Sequence, residues 1–442
     1  MTMRVTTKQE LIKRAREEIE SKTGKATEEL YQEREKRIKD AIQLREPDRV
    51  PVLLRMDDFV IKYAGYSPSV SFYEPAIHRQ AVIRTLVDFD ADFCWPPANT
   101  GNSGLALEAL DARQVRWPGG NLPADATYQF IGAEYMKEDE YDLFITDPTD
   151  FMLRYYLPRV FGALAPLSKM PAMGEKLTTA FLPMTHLLGK QEFQTMAQAL
   201  LRAGEEQEKF SLEWTGLEED MAELGFPLVY YPGGVSLEPF DLFASFLRGL
   251  RGIAIDMFRR PEKLLAACDR VVDWRLARAL PAPPNKRGHQ HRIQSGALHF
   301  SSDRFMSKKQ FETFSWPSWK RALLASISLG YVPCPFGEGK TDDRLEYFLE
   351  LPKATVFLHL TLADMARAKA LLGNHCCIGG SVPSSLLVTG SASEVEDYCK
   401  NLIKVCGKGG GFILSFGDGG LHDAKPENVK AAIDSAKKYG RY

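Results

Sequence analysis

The feature that most constrains this chain is an alternation of strand and helix patterns that becomes regular after about residue 190. Short apolar runs such as IQSGALHF, YVPCPF, ATVFLHL and HCCIGG alternate with amphipathic helical stretches through short links. Parallel strands need crossover connections of this kind, so the pattern predicts βαβ units and a parallel sheet. No GxGxxG opens a helix and no GxxxxGK[ST] motif occurs, which favours a barrel over a doubly wound sheet. The predicted fold is an α/β protein with a (β/α)8 TIM barrel.

Two parts of the chain do not follow this alternation. Residues 1–45 are rich in Lys, Glu and Arg and carry an apolar stripe, which predicts an arm of one or two amphipathic helices broken at Gly24. Residues 46–442 are assigned to the barrel. Within them, residues 97–180 show no sustained period and contain several aromatic side chains, so we expect an insertion or lid there.

Composition restricts the partners of the chain. Its 56 basic and 58 acidic residues give a net charge of -2, which argues against a nucleic-acid or anionic-membrane surface. The N-terminus lacks the apolar core of a signal peptide, and no apolar run approaches the ~18 residues of a membrane helix, so we expect a cytoplasmic protein. The seven cysteines are scattered without a CxxC pair and are expected to be reduced thiols.

Polar residues that directly follow the expected strands should share one face of a barrel, where barrel enzymes carry their chemistry. The first expected strand, Val50–Leu54, leads into Arg55, and the last one, Phe412–Phe416, leads into a glycine-rich loop with Asp418. The ring of such residues comprises Arg55, Tyr231 with Gly233, His299 with Asp303, Glu338, His359, Gly379 with Gly380, and Asp418. Trp95 lies at the end of another expected strand, DADFCWPP.

Three blocks of sequence indicate a family resemblance. The blocks KRIKDAIQLREPDRVPV, IGGSVPSSLLVTGSASEVEDYCKNLI and GGFILSFGDGGLHDAKPENVKAAIDSAKKYG together resemble the uroporphyrinogen decarboxylase superfamily. The resemblance covers most of residues 33–55 and 295–442, and it too implies a (β/α)8 barrel. The superfamily contains two main activities, cofactor-free decarboxylation of a porphyrinogen and methyl transfer to or from corrinoids.

The sequence departs from the decarboxylases at the positions where they hold their substrate. Their RQAGR stretch after the first strand is replaced by LLRMDD, which leaves Arg55 as the one matching arginine. The position that corresponds to the FSDIL motif of the decarboxylases lies near Trp95 in this chain. Asp418 stands where the late NLGHGI loop of the decarboxylases has its histidine. A polyanionic tetrapyrrole needs several cations, which these positions do not provide.

Zinc-dependent methyltransferases of the superfamily use an HxC pair and a later cysteine. Here VPC places Cys334 at the HxC cysteine with a valine at its histidine, and Asp418 stands at the later cysteine. Thiolate ligands suit zinc, but a pair of Cys334 and Asp418 is an incomplete site unless His299, Glu338 or His359 joins it. Zinc therefore stays an open alternative.

The residues of this chain best fit those members of the superfamily that act on methoxylated or methylated small molecules. They move a methyl group to cob(I)alamin on a partner protein, and the leaving oxygen or nitrogen needs a group that protonates or polarises it. Asp418, Glu338 and His299 are the expected catalytic residues, provided that a dry pocket or a close carboxylate raises the pKa of an acid. The expected substrate-binding residues are Arg55, Trp95, Tyr231, Asp303, His359 and Gly379.

The resemblance thus implies a corrinoid-dependent methyltransferase or demethylase with a small methyl donor or acceptor. Because the chain lacks the DxHxxG signature of a corrinoid-binding domain, the cobalamin would be carried by a separate corrinoid protein. Two alternatives remain: decarboxylation of a carboxylated tetrapyrrole, which needs no cofactor, and non-catalytic binding of a tetrapyrrole or a corrinoid protein. The sequence leaves open the substrate, the direction of transfer, and whether the chain acts alone or as a homodimer.

Overall fold

Helices and parallel strands alternate along the chain, as the sequence predicts. The computed structural model describes residues 7–97, 101–172, 181–227, 236–282, 292–417 and 421–442. Tyr231 and Asp418, two of the residues singled out from the sequence, lie outside these ranges. None of the described helices is both long and apolar enough to cross a membrane.

The parallel strands form one curved series. The bounds of all described strands are β1 (Leu53–Asp57), β2 (Phe93–Pro97), β3 (Val115–Arg116), β4 (Gln129–Phe130), β5 (Arg292–Leu298), β6 (Tyr331–Gly337), β7 (Phe357–Leu360), β8 (Cys377–Val382) and β9 (Phe412–Phe416). Strands β5 to β9 make a parallel sheet in sequence order, and β1 pairs in parallel with β2. A parallel bridge between Val52 and Leu414 places β1 beside β9, so the described order is β2-β1-β9-β8-β7-β6-β5. The short strands β3 and β4 form a separate antiparallel pair.

Helices precede, separate and follow these strands. Those of the N-terminal half are α1 (Lys8–Thr23), α2 (Thr27–Ile42), α3 (Phe59–Tyr63), α4 (Val70–Tyr73), α5 (Pro75–Phe89), α6 (Gly104–Ala109), α7 (Tyr141–Thr146), α8 (Pro148–Asp150), α9 (Leu157–Val160), α10 (Phe181–Leu188), α11 (Gln191–Trp214) and α12 (Leu217–Glu223). Those of the C-terminal half are α13 (Pro239–Leu242), α14 (Gly249–Arg259), α15 (Pro261–Leu276), α16 (Lys308–Gln310), α17 (Trp316–Ser328), α18 (Met365–Leu372), α19 (Ser384–Thr389), α20 (Ala392–Cys406) and α21 (Pro426–Tyr439). Within the described ranges, π-helical segments cover Phe151–Tyr156, Phe243–Leu247 and Phe311–Ser315, and 3₁₀ helices cover Gly162–Lys169 and Asp342–Glu350.

The inward face of the parallel strands encloses an apolar cluster of its own. Within the described part of the chain, α2 is the one helix that adds buried side chains to it. The face is therefore covered mainly by its own strands, as in a sheet that curves around a core, while the other helices pack on the outer face. The strand residues of this cluster are Leu53, Phe93, Ile293, Val332, Cys334, Phe357, Cys377 and Ile413, and those of α2 are Ile38, Ala41 and Ile42.

The N-terminal arm is fixed at the amino ends of β1 and β2 by a buried ion cluster. Gly24 ends α1 in the left-handed region at φ 69°, which confirms the predicted break between two helices. In α2, Arg37 pairs with the fully buried Asp92, and Arg49 donates two further hydrogen bonds to the same carboxylate at 2.7 and 2.8 Å. Asp92 also accepts a hydrogen bond from Val52 N at 2.8 Å, so one carboxylate connects the arm to the start of both strands.

The first strand begins later than the sequence predicts. We expected Val50–Leu54, whereas β1 runs from Leu53 to Asp57. Val50 N instead donates to Gly440 O at 2.9 Å, which ties this segment to the C-terminus of the chain. Arg55 consequently lies inside β1 and not directly after it.

Candidate active site

A cavity of about 420 Å³ lies at the carboxyl ends of β5 and β6. The register pairs Leu298 with Gly337, so the next residues, His299 and Glu338, leave the two strands side by side. Both line the cavity, and His299 Nδ1 lies 3.6 Å from Glu338 Oε2. Their side chains are 42% and 38% exposed, which places the pair at the mouth. Two residues that the sequence assigned to one rim therefore meet here, and their catalytic role stays a prediction.

The walls of the cavity combine aromatic and aliphatic side chains with a few ionisable groups. Its volume is in the range of small-molecule sites, about 300–1,000 Å³. Phe130 comes from the segment 97–180 and packs edge to face against Phe246, with ring centroids 5.0 Å apart, so this segment forms part of the wall. The described lining consists of Phe130, Gly132, Leu237, Glu238, Asp241, Leu242, Ser245, Phe246, Arg275, Ala297, His299, Phe300 and Glu338.

Two buried carboxyl groups in this wall, Glu238 and Asp241, were missed by the sequence analysis. Glu238 precedes α13 as its N-cap and accepts a hydrogen bond from Asp241 N. Asp241 in turn accepts hydrogen bonds from the backbone N–H groups of His299 at 2.6 Å, Phe300 at 2.8 Å and Ser301 at 3.1 Å. Asp241 therefore holds the loop that carries His299. The one sequence signal for the pair is a capping acid, Glu238, followed by Pro239 at the first helical position.

Burial raises the pKa of both carboxyl groups. For Glu238, burial is the main cause and the neighbouring charge of Asp241 adds to it, so the pKa of Glu238 lies well above its ordinary value. Burial raises the pKa of Asp241 to about 6, although its hydrogen bonds from the backbone favour the ionised form. Since those donors stabilise the Asp241 carboxylate, the proton that the two groups share belongs on Glu238.

Arg55, Trp95 and His359 lie together at a different place, inside the curve of the sheet. Arg55 and Trp95 are register partners on β1 and β2, and the Arg55 guanidinium lies 4.7 Å from the ring centroid of Phe336. The rings of Trp95 and His359 are 5.9 Å apart. His359 is fully buried in β7, its Nε2 is 2.8 Å from Ser415 Oγ, and burial lowers its pKa to about 3, so the imidazole is neutral. We expected His359 directly after its strand, but β7 continues to Leu360.

Asp303 and Gly379 make contacts within the fold, and their predicted roles in substrate binding stay predictions. Asp303 Oδ2 accepts a hydrogen bond from Asp343 N at 3.1 Å, which joins the loops after β5 and β6. Gly379 lies within β8 and not at its end as expected, because β8 continues to Val382. A Cβ at Gly379 would lie 2.4 Å from a ring atom of Phe357, so glycine is needed for packing. Neither residue is part of the described lining of the cavity.

Cys334 lies among apolar side chains, and its role as a zinc ligand stays a prediction. It is fully buried in β6 among the apolar side chains of the inward cluster. Burial raises the pKa of its thiol, so a metal ion that bound there would have to displace the proton. Across the ranges that the structure describes, no three His, Cys, Asp or Glu side chains are grouped so that they could hold a metal ion. The other half of the predicted metal pair, Asp418, lies outside those ranges.

Replacing Cys334 with alanine should leave the zinc content of the purified protein unchanged, because the described neighbours of the thiol are apolar. The lost packing should lower the free energy of unfolding by about 1 kcal/mol. Metal analysis and urea unfolding check both expectations. Cys399→Ala is the matched control, since Cys399 is also fully buried but lies in α20. A zinc content that falls in the Cys334 variant alone would contradict the expectation.

Comparisons with known proteins agree with this architecture. The model of the uroporphyrinogen decarboxylase (URO-D) family matches residues 233–439. This part of the chain is a URO-D family domain. The URO-D domain contributes every ionisable residue of the described cavity lining, including Glu238, Asp241, His299 and Glu338.

Solved structures show the same fold over most of the chain. The structure is similar to a methyltransferase from Methanosarcina mazei, with a TM-score of 0.52 and 14% sequence identity over 91% of this chain and 98% of that chain. At this level of identity the likeness shows the fold alone. No curated protein sequence matches the chain.

Proposed function

We propose that the chain is a methyltransferase that moves a methyl group between a small methylated substrate and a corrinoid protein. The observation that carries the proposal is the cavity after β5 and β6, in which an aromatic and aliphatic wall contains a buried carboxylic acid. Such a wall fits the carbon skeleton of a small substrate, and the acid can assist the departure of its heteroatom. The similarity in fold to a methyltransferase from Methanosarcina mazei supports the same class of reaction.

We propose that this site lies on a complete (β/α)8 barrel, the fold that the URO-D family implies. Support comes from the seven parallel strands that curve around one inward cluster, with β2 and β5 at the two ends of the described series. In a closed barrel the carboxyl ends of all strands share one face. The loop after β9, which contains Asp418, would then belong to the same face as His299 and Glu338.

Methyl transfer from oxygen or nitrogen breaks the bond between the methyl carbon and the heteroatom, and the electron pair stays on the heteroatom. An alkoxide or phenoxide leaves poorly near neutral pH, so the departing oxygen needs a proton or a strong hydrogen bond. The cob(I)alamin of a separate corrinoid protein would supply the electron pair for the new bond to the methyl group. His299 and Glu338 lie half exposed at the mouth, where a docked partner would meet the bound substrate. Asp418 is proposed as the third catalytic residue from its place after β9.

The composition of the cavity gives little support to decarboxylation of a tetrapyrrole. Its described lining contains a single arginine, Arg275, beside the three carboxyl groups of Glu238, Asp241 and Glu338. Arg55, the other expected anchor of substrate carboxylates, lies over Phe336 inside the sheet. Several acidic groups would repel a polyanionic porphyrinogen, and a small neutral methyl donor suits this wall better.

An anaerobic absorbance assay tests the proposed function. The protein is mixed with cob(I)alamin, free or bound to a corrinoid protein, and with a panel of methyl ethers, methylated amines and thioethers. We expect the absorbance of cob(I)alamin to fall with at least one donor, at a rate proportional to the protein concentration. No change with any donor or corrinoid protein, together with release of CO2 from uroporphyrinogen, would overturn the proposal in favour of a decarboxylase.

A further inference from the structure

We propose that Glu238 is the proton donor of this site and that it protonates the heteroatom from which the methyl group departs. The inference rests on the proposed methyl transfer and adds a catalytic residue and a class of donor to it. Glu238 lines the cavity beside Leu237, Leu242 and Phe246, and it is 2% exposed. An acid in such a dry wall is needed for donors with poor leaving groups, above all methyl ethers.

The carboxyl group of Glu238 is held in place through one of its oxygens. Oε2 caps α13 by accepting a hydrogen bond from Asp241 N, which fixes the side chain relative to the helix. Oε1 has no hydrogen-bond partner of normal geometry among the described residues. A buried polar atom without a partner destabilises the folded state, so a ligand that bonds to this oxygen would be favoured. One oxygen is therefore structural, and we assign the other to the substrate, with the Ser315 hydroxyl as a neighbour of the same carboxyl group.

The groups that surround Glu238 favour its protonated form. The charged or titratable ones are Asp241 on the same helix and Arg275 and Cys268 on α15, and the hydroxyl of Ser315 faces it from the segment Phe311–Ser315. Burial raises the pKa of Glu238 most, and the charge of Asp241 raises it further, while the Ser315 hydroxyl lowers it. Arg275 is the single cation of this set and favours the ionised form. Burial and Asp241 outweigh both, so the pKa of Glu238 is raised and its protonated form is favoured.

The proton balance of the step is simple. The bond from the methyl carbon to oxygen breaks, the electron pair stays on the oxygen, and the O–H bond of Glu238 breaks as its proton moves to that oxygen. Cob(I)alamin on the proposed partner protein would supply the electron pair that accepts the methyl carbon. Glu238 is left as a carboxylate beside Asp241, which favours rapid reprotonation from solvent before the next donor is used. The rate with an ether should accordingly fall as the pH rises above the pKa of Glu238.

The Glu238→Gln variant tests whether Glu238 donates a proton or only supports the structure. Glutamine retains an oxygen that can cap α13, but it has no acidic proton. We expect this variant to lose about 10²–10⁴-fold in rate with a methyl ether of a poor leaving group. The rate with a methyl sulfonium donor, whose leaving group departs neutral, should change less than about threefold, because general acid catalysis contributes nothing to that step. Glu427→Gln, an exposed glutamate in the first turn of α21, is the control expected to match the wild type with both donors.

Infrared difference spectroscopy supplies a readout that does not require turnover. The wild type and Glu427→Gln should show the carbonyl stretch of a protonated carboxylic acid at neutral pH, and Glu238→Gln should lack it. Equal losses of rate with the ether and the sulfonium donor, or absence of the band from the wild type, would overturn the role of Glu238. Failure of the proposed function would look different, because the wild type itself would then transfer no methyl group from any donor, and that result would overturn both ideas.

Discussion

Replacing Asp92 with asparagine is expected to lower the free energy of unfolding by about 3–5 kcal/mol. Asp92 is fully buried, and its carboxylate accepts hydrogen bonds from Arg37, from Arg49 and from Val52 N. Asparagine would remove the carboxylate that pairs with the largely buried Arg49 and would leave the buried guanidinium of Arg37 with the more exposed Asp48 as its charged partner. The substitution should destabilise both the N-terminal arm and the strands, because Asp92 joins α2 to the starts of β1 and β2.

Asp48→Asn is the matched control for this prediction. Asp48 also pairs with Arg37, at 2.6 Å, but its side chain is 62% exposed. We therefore expect Asp48→Asn to cost less than about 1 kcal/mol. Urea unfolding followed by circular dichroism measures both variants. Equal losses would show that the buried position of Asp92 is not what makes its ion pairs important.

The pH dependence of this effect follows from the pKa of Asp92. Burial raises that pKa, but Arg49 and Arg37 outweigh burial and hold it below its ordinary value. A carboxyl group whose pKa is lower in the folded state than in the unfolded state stabilises the folded protein. This stabilisation is fully present above the pKa that the group has in the unfolded state, about 4, and it is lost as the pH falls toward the pKa in the folded state. The difference in the free energy of unfolding between the wild type and Asp92→Asn should thus be largest at neutral pH and should decrease in acid.

The sequence predicts the strands well because parallel strands buried on both faces are short continuous apolar runs. The expected strand Phe412–Phe416 is β9, residue for residue, and the runs from IQSGALHF to HCCIGG correspond to β5 through β8. The ends of strands are less predictable, since they depend on pairing with distant segments. Val50 and Pro51 bond to Gly440 and Leu414, and these contacts shift β1 toward the C-terminus of its apolar run.

The sequence predicts residues of the cavity only where they directly follow a strand. His299 and Glu338 follow neighbouring strands, so their meeting at one rim follows from the parallel pairing of β5 and β6. Glu238 and Asp241 escaped prediction because their importance comes from the docking of α13 onto the loop after β5, through backbone hydrogen bonds that leave no side-chain pattern. His359 has the expected residue type but lies in the core, where it cannot titrate near neutral pH.

Replacing Asp418 with asparagine is expected to lower the rate of methyl transfer by about 10²–10⁴-fold and to leave the melting temperature unchanged. Asp418 follows Gly417, whose N–H donates to Val382 O at 2.8 Å where β8 and β9 end. The chain therefore leaves the sheet at its carboxyl edge, the edge that also carries His299 and Glu338. Asp423→Asn is the control from the same loop region, because Asp423 is exposed and pairs with Lys62 at 2.7 Å. Its rate should match the wild type.

The donor dependence of the two acid variants should distinguish their roles. If Asp418 contacts and orients the donor, its loss lowers the rate with ether and sulfonium donors alike, because orientation matters for every leaving group. If Glu238 supplies the proton, its loss is confined to the ether. Full activity of Asp418→Asn with both donors would show that the loop after β9 serves only the fold. A loss confined to the ether in Asp418→Asn, with Glu238→Gln unaffected, would move the proton donor from the wall of the cavity to this loop.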